Sequence, residues 1–215
     1  MPSGGLDASS EGVSAFVELQ TTKGDIRLYQ TLLRDDSFYE LLARIDEDLA
    51  ETTRVTGCAC GGRLHQAHYR RKPRGGPSGL CKRMSLRLSY CCSEEGCRRR
   101  RMPPSLRFLG RKVFFSVVVL LVPVLREGPT VERLRRLEEE FQVSERTARR
   151  WQRWWREEFC RSPAMNRLQG LCAEPIRREA LPGSMLQVFG QMSEVSERVL
   201  AVLRVLSDGP SVQIP

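Results

Sequence analysis

Four cysteines lie in two short clusters that could together bind a metal ion. Cys58 and Cys60 precede Gly61-Gly62, and Cys92 and Cys97 follow about thirty residues later. Structural zinc sites use four thiolates in tetrahedral geometry, and glycines beside such cysteines let the backbone turn and point amide hydrogens at sulfur. Four cysteines would leave no open position on the ion, so the pattern predicts one structural Zn²⁺ and no catalytic metal.

Other potential ligands lie close to these clusters and leave the ligand set open. Cys91 is adjacent to Cys92 and could replace it, while His65 and His68 have His-x-x-His spacing just beyond the first pair. We expect the two histidines to be ordinary surface residues, although histidine is a common zinc ligand. The chain does not start with a secretory signal, so disulfides are not expected among its eight cysteines. Ordinary thiols are expected at Cys81, Cys160 and Cys172.

Positive charge is concentrated in the middle of the chain. The 215 residues carry a formal net charge of +9, but residues 63–112 alone contain 15 basic and 2 acidic side chains. So many positive charges repel one another unless a polyanion or solvent screens them. Nucleic acid and anionic membrane surfaces are therefore the leading partners, and a solvated basic loop is the alternative. The candidate phosphate contacts are Arg70, Arg71, Lys72, Arg74, Arg98, Arg99, Arg100, Arg101, Arg111 and Lys112.

A second basic surface is predicted on a helix that follows a short turn. Apolar residues recur at helical spacing over 130–141 and again over 144–160, and Ser144 is the expected cap of the second helix. Two helices joined by about three residues are typical of a helix-turn-helix, whose second helix enters the DNA major groove. The alternative is a helical hairpin with a tryptophan core and a solvated arginine face. The candidate DNA contacts on the second helix are Arg146, Arg149, Arg150 and Arg153.

The remaining segments would position these two surfaces. The sequence predicts a mainly α-helical fold with a small zinc ribbon of short strands and a three-helix helix-turn-helix core. Predicted helices cover about 37–52, 110–126, 130–141, 144–160, 164–172 and 193–207, a short helix precedes the first of these, and a strand covers 84–90. The predicted segments are a flexible tail (1–27), N-terminal helices (28–54), a zinc ribbon with a flexible basic loop at 72–79 (55–105), the helix-turn-helix (106–161), and C-terminal helices with a tail (162–215).

The helix predicted over 37–52 carries an acidic outer face, with Asp36 or Ser37 as its expected cap. We expect this face to be solvated. The alternative is that it docks against the basic segment that follows. The acidic residues are Glu40, Asp46, Glu47, Asp48 and Glu51.

The order of these motifs resembles a known group of proteins. Cys-x-Cys-Gly-Gly is followed by the run from Tyr69 to Gly75 (YRRKPRG) and then by Cys91-Cys92 through Gly96-Cys97-Arg98-Arg99-Arg100. After these come Pro103-Pro104-Ser105 and Phe108-Leu109-Gly110-Arg111-Lys112. The tryptophan-rich helix ends the series. Over about residues 28–207 this series is similar to small zinc-ribbon plus helix-turn-helix proteins of bacterial mobile elements and to the N-terminal DNA-binding portions of insertion-sequence transposases. The resemblance implies DNA recognition. A transposase would also need a catalytic acidic triad in a mixed α/β domain, and no strand-rich segment follows residue 160.

Together these observations predict a zinc-stabilised DNA-binding protein without a catalytic site, acting as a targeting, accessory or regulatory factor of a mobile element. A hydrolase is not expected, because no serine or cysteine nucleophile lies beside a histidine and there is no phosphate-binding glycine loop. The longest apolar run, Val113 to Leu125, is shorter than the ~20 residues that span a bilayer. We therefore expect a cytoplasmic protein, associated with the nucleoid if it binds DNA. The alternatives are a subunit that docks a nuclease, transposase or polymerase, and an RNA-binding protein; the oligomeric state stays open.

Overall fold

A computed structural model describes residues 23–109, 113–126 and 131–207 of the chain. Within these ranges the fold is mainly helical with two small antiparallel sheets, as the sequence predicts at this coarse level. No helix in these ranges has both the length and the apolar character needed to cross a bilayer.

Two helices begin the described part of the chain: α1 (Lys23–Arg34) and α2 (Asp36–Thr56). The predicted tail 1–27 is therefore too long, because residues 23–27 are helical; residues 1–22 lie outside the described ranges. The cap of α2 is Asp35 and neither of the two predicted residues, since its carboxylate accepts a hydrogen bond from the Ser37 amide at 2.9 Å.

The cysteine-rich segment forms short strands instead of the single predicted one. These are β1 (Leu64–Gln66), β2 (Tyr69–Arg70), β3 (Leu86–Arg87), β4 (Tyr90–Cys92) and β5 (Arg100–Arg101). One sheet has the order β1-β4-β5 and the other pairs β2 with β3. The single strand predicted over 84–90 does not form: Met84 lies in a 3-10 helix (Lys82–Ser85), β3 ends at Arg87, and Tyr90 begins β4.

The basic loop over 72–79, predicted to be flexible, is anchored on the helical core. The Arg74 amide donates to the Val113 carbonyl at 2.9 Å, and the Phe115 amide donates to the Arg74 carbonyl at 3.2 Å. Gly75 is buried with φ +82°, and a Cβ there would lie 2.8 Å from a Val118 methyl group. Glycine is required because it alone allows this backbone to approach so closely.

The central helices are α3 (Ser116–Leu125), α4 (Val131–Phe141) and α5 (Glu145–Glu157). Every side chain of α3 is buried, which explains why all of its residues after Ser116 are apolar. Ser144 caps α5 as predicted, by accepting a hydrogen bond from the Thr147 amide. Trp155 lies in the core and donates its indole N–H to the Val119 carbonyl of α3 at 3.2 Å. The part of the predicted helix at 110–112 lies outside the described residues.

The C-terminal part packs onto the same core. Its helices are α6 (Pro163–Gly170), α7 (Gly183–Val188) and α8 (Val195–Ser207), of which α7 was not predicted. Helix α8 contacts α1, α3, α6 and α7, so one hydrophobic core contains side chains from the predicted segments 28–54, 106–161 and 162–215. A smaller core lies under the thiol cluster and contains Ala50, Cys58, Leu64, Leu88, Tyr90 and Cys92.

Candidate metal centre and nucleic-acid interface

The fold brings the four predicted cysteine ligands together. Cys58 and Cys60 come from the turn after α2, Cys92 from the end of β4, and Cys97 from the turn before β5. Their sulfur atoms all lie within 4.8 Å of one another, with 3.7 Å from Cys58 to Cys97 and 3.4 Å from Cys60 to Cys92. A group of four thiols at these distances could hold a metal ion.

Strand geometry separates Cys92 from Cys91. Successive side chains of a strand point to opposite faces, and Cys92 shares the buried face of β4 with Tyr90. Cys91 lies on the other face, opposite His65 in the register, and its thiol donates to the Arg98 carbonyl at 3.4 Å. The alternative ligands Cys91, His65 and His68 thus lie outside the cluster of four thiols. His68 instead hydrogen-bonds the backbone of Ser89 through Nδ1.

Both cysteine pairs are presented by tight turns. The Gly61 amide donates to the Cys58 carbonyl at 2.9 Å, and the Cys97 amide donates to the Glu94 carbonyl at 3.0 Å. Gly61 takes φ +85°, a conformation that suits glycine. A hydrogen bond from the Cys60 amide lowers the pKa of the Cys58 thiol to about 6, while burial raises the pKa of Cys92 to about 12. The Cys60 amide therefore favours a thiolate at Cys58, in the first turn.

Gly62 is the position in these turns where a side chain cannot fit. A Cβ there would lie 2.5 Å from Glu94 Cγ and 2.7 Å from Cys92 Sγ. We expect Gly62→Ala to displace the Cys92 sulfur and to weaken metal binding at least about tenfold, the order of loss seen when groups that orient a ligand are disturbed. Metal competition with a chromogenic chelator measures the affinity. Gly96→Ala is the matched control, because a Cβ at Gly96 meets nothing within 4 Å; equal affinities for the two variants would contradict the prediction.

Helix α5 has two chemically distinct faces. Its buried face consists of Ala148, Trp151, Trp154 and Trp155, and its opposite face is exposed and basic. The four predicted DNA contacts Arg146, Arg149, Arg150 and Arg153 all lie on the exposed face. Arg149 pairs with Glu145 at 2.6 Å, whereas the other three form no ion pair with any of the described residues.

The turn before α5 is short and well defined. Gln142 takes φ +52°, an uncommon value for a non-glycine residue, and it reverses the chain between α4 and α5. Val143 is buried between the two helices, and Ser144 begins α5 as its cap. The beginning of the arginine face is therefore held at a fixed position on the core.

The basic residues of the predicted ribbon segment (55–105) differ in how far their side chains are exposed to solvent. Arg71 is half-buried, with its guanidinium 5.2 Å from the centre of the Phe108 ring, and Arg100 lies 5.5 Å from the centre of the Tyr69 ring. Arg101 is also half-buried, so it is less available to phosphate than its three neighbours. Arg111 and Lys112 lie outside the described residues. The exposed candidates are Arg70, Lys72, Arg74, Arg98, Arg99 and Arg100.

A buried ion pair joins α2 to Arg107, just after the ribbon segment, and the sequence prediction missed it. Asp46 is buried and accepts hydrogen bonds from the Ser105 hydroxyl and the Leu106 amide at 2.6 Å and from Arg107 Nε at 2.8 Å. The predicted solvated face of α2 is therefore wrong for Asp46. Glu40 and Glu47 keep side chains that are accessible to solvent, as predicted, and both also pair with Arg83 of the basic segment, which is the contact that the docking alternative describes.

Comparisons with protein-family models, with curated proteins and with solved structures give no match. The similarity to mobile-element proteins stays a prediction from the motifs.

Proposed function

We propose that this protein binds duplex DNA through α5 and that a zinc ion in the four-cysteine cluster stabilises an adjoining phosphate-binding surface. The observation that carries the proposal is the arginine face of α5. This face begins at a three-residue turn, and three of its guanidiniums form no ion pair within the described residues. A helix presented in this way is the reading element of a helix-turn-helix, and α3 would supply the third helix of its core.

Zinc is the metal that best suits the cluster. Four thiolates around a tetrahedral zinc at about 2.3 Å lie about 3.8 Å from one another. The distances of 3.4 Å and 3.7 Å between paired sulfurs are close to this value. Soft thiolate ligands also favour zinc over magnesium, calcium or manganese.

The metal would also fix the position of arginines. Arg98 follows the ligand Cys97 directly and takes φ +43°, and the Arg99 carbonyl accepts a hydrogen bond from the amide of the ligand Cys92. A metal at the cluster would thereby hold Arg98, Arg99 and Arg100 in a fixed arrangement. In the proposed complex these residues contact phosphates without selecting bases. The protein would act as a targeting, accessory or regulatory factor with no catalytic step of its own.

Neutralising two unpaired arginines of α5 tests the proposal. We expect Arg146→Gln/Arg150→Gln to reduce the slope of log affinity against log salt concentration by about 2, since each phosphate contact contributes about 0.9. If either arginine also contacts a base, the loss of affinity will be larger for the DNA sequences that carry this base. Fluorescence anisotropy with labelled duplex DNA, single-stranded DNA and RNA at several salt concentrations measures the slope and the preference.

The matched control removes the same charge from α4. Arg135 and Arg136 are exposed and already paired with Glu132, so Arg135→Gln/Arg136→Gln should leave the slope unchanged. Equal slopes for the two double variants would contradict the role of α5. A preference for RNA, or no binding to duplex DNA, would contradict the proposal itself and favour the RNA-binding or protein-docking alternatives.

A further inference from the structure

A cluster of three charged residues lies at the beginning of α5. Arg126, directly after α3, has a side chain that is only 10% exposed. Its Nη1 donates to the Glu145 carbonyl at 3.4 Å, and its Nη2 lies 3.6 Å from Glu145 Oε1. The first residue of α5 is therefore contacted through its backbone and through its carboxylate by Arg126, whose side chain is largely buried.

Glu145 in turn holds one arginine of the exposed face. Arg149 lies one helical turn further on and donates Nη2 to the same Glu145 Oε1 at 2.6 Å. Arg146, Arg150 and Arg153 have no such partner among the described residues. An isolated surface pair of this kind contributes little to stability. This pair differs because the same Glu145 carboxylate also contacts Arg126, so Arg149 is linked through Glu145 to a largely buried side chain.

We infer that Arg149 is the residue of α5 that determines base specificity and that Glu145 is its positioning residue. This inference rests on the proposed function. Arginine recognises guanine by donating two hydrogen bonds to O6 and N7, a geometry that tolerates little displacement. An arginine that is already ordered loses less conformational entropy when it makes this contact. The unpaired arginines keep their freedom and suit the less demanding contacts with phosphate.

The negative charge of Glu145 should affect general DNA affinity and base specificity in opposite ways. A carboxylate on the DNA-facing turn repels phosphates, so it weakens binding to every duplex. Its contact with Arg149 favours only the duplex that carries the recognised base. Removing the carboxylate should therefore raise affinity for arbitrary DNA and lower sequence preference, two changes in opposite directions.

Selection of binding sites from a random duplex library provides the test. The wild-type protein is used first to define a preferred site, and affinities for this site and for its single-base variants are then measured by anisotropy. We expect Arg149→Ala to reduce discrimination at one base pair by about tenfold, which corresponds to about 1.4 kcal/mol. Glu145→Gln should reduce discrimination at the same base pair by about threefold or more, while its affinity for unrelated duplex DNA rises.

Two further variants separate positioning from charge. Glu145→Asp keeps the charge but is too short to hold Arg149, so it should lose discrimination without gaining affinity for unrelated DNA. Glu138→Gln removes an exposed carboxylate from α4 and should leave discrimination unchanged. The inference is overturned if Glu145→Gln raises affinity for all duplexes equally, or if Glu145→Asp discriminates as well as the wild type. Failure of the wild-type protein to bind duplex DNA would overturn the proposed function together with this inference.

Discussion

Removal of the proposed metal is expected to unfold the cysteine-rich segment around the thiol cluster and to leave the helical core folded. The small core under the cluster contains six buried residues among those described, two of which are the proposed ligands Cys58 and Cys92. So few apolar contacts cannot order a segment of this size without further constraints. Metal binding to such a site contributes about 10 kcal/mol or more, and this energy is coupled to folding.

The structure indicates which residues should lose protection from hydrogen exchange. Residues 57–66 and 88–101 surround the cluster, and we expect them to exchange rapidly after treatment with a chelator. The segment between them is held independently of the metal. Met84 lies in the main core, and Arg107 donates hydrogen bonds to the carbonyls of Arg83, Met84 and Leu86. Protection around these residues should therefore persist.

Adjacent cysteines provide a matched pair of variants for the same experiment. Cys92→Ser should lose the metal and expose the segments around the cluster, whereas Cys91→Ser should keep one equivalent of metal, because Cys91 lies on the opposite face of β4. Metal content by mass spectrometry and exchange by peptide mapping measure the two effects. Less than half an equivalent of metal in the wild-type protein, or equal losses in both variants, would contradict the prediction.

The contrast between these cysteines shows what spacing alone can predict. Residue type and clustering were enough to select the four thiols that the fold brings together. The choice between Cys91 and Cys92 required the strand register, in which Leu64 lies opposite Cys92 and His65 opposite Cys91. Register is a tertiary property, and a shift by one residue would exchange the two faces. The sequence therefore left that choice open for a physical reason.

The helices were predictable to the extent that they repeat an apolar pattern. Helix α5 places Ala148, Trp151 and Trp155 on one face over several turns, which is a strong periodic signal. Helix α7 has only six residues and follows Pro182, so it is too short to show a full period. It forms because Ser184, Met185 and Leu186 are buried in the folded protein, which a local pattern cannot reveal.

The prediction that Asp46 is solvated follows from its charge and conflicts with its position in the helix. Leu42, Asp46 and Ala50 follow one another at four-residue steps, and all three are buried on the same face of α2. The periodic signal was present in the sequence. A buried aspartate needs a partner, and Arg107 lies 61 residues away in a segment whose path over α2 cannot be read from spacing.

Replacing Asp46 by alanine is expected to be among the most destabilising single substitutions in the helical core. Asp46 and Arg107 have side chains that are 1% and 2% exposed, so loss of one partner leaves an uncompensated buried charge. This typically costs about 3–5 kcal/mol. The Ser105 hydroxyl and the Leu106 amide would also lose their acceptor. Urea unfolding monitored by tryptophan fluorescence measures the free energy, because Trp151 and its neighbours lie in the main core.

The matched control and a double variant show whether charge burial is the cause. Asp48→Ala removes the same group from the exposed side of α2 and should change stability by less than about 0.5 kcal/mol. Asp46→Leu/Arg107→Leu removes both charges and should be less destabilised than the sum of the single changes. It should not regain full stability, because the carbonyls of Arg83, Met84 and Leu86 would lose the donor that Arg107 provides. Similar unfolding free energies for Asp46→Ala and Asp48→Ala would show that the ion pair does not hold the ribbon segment to the core.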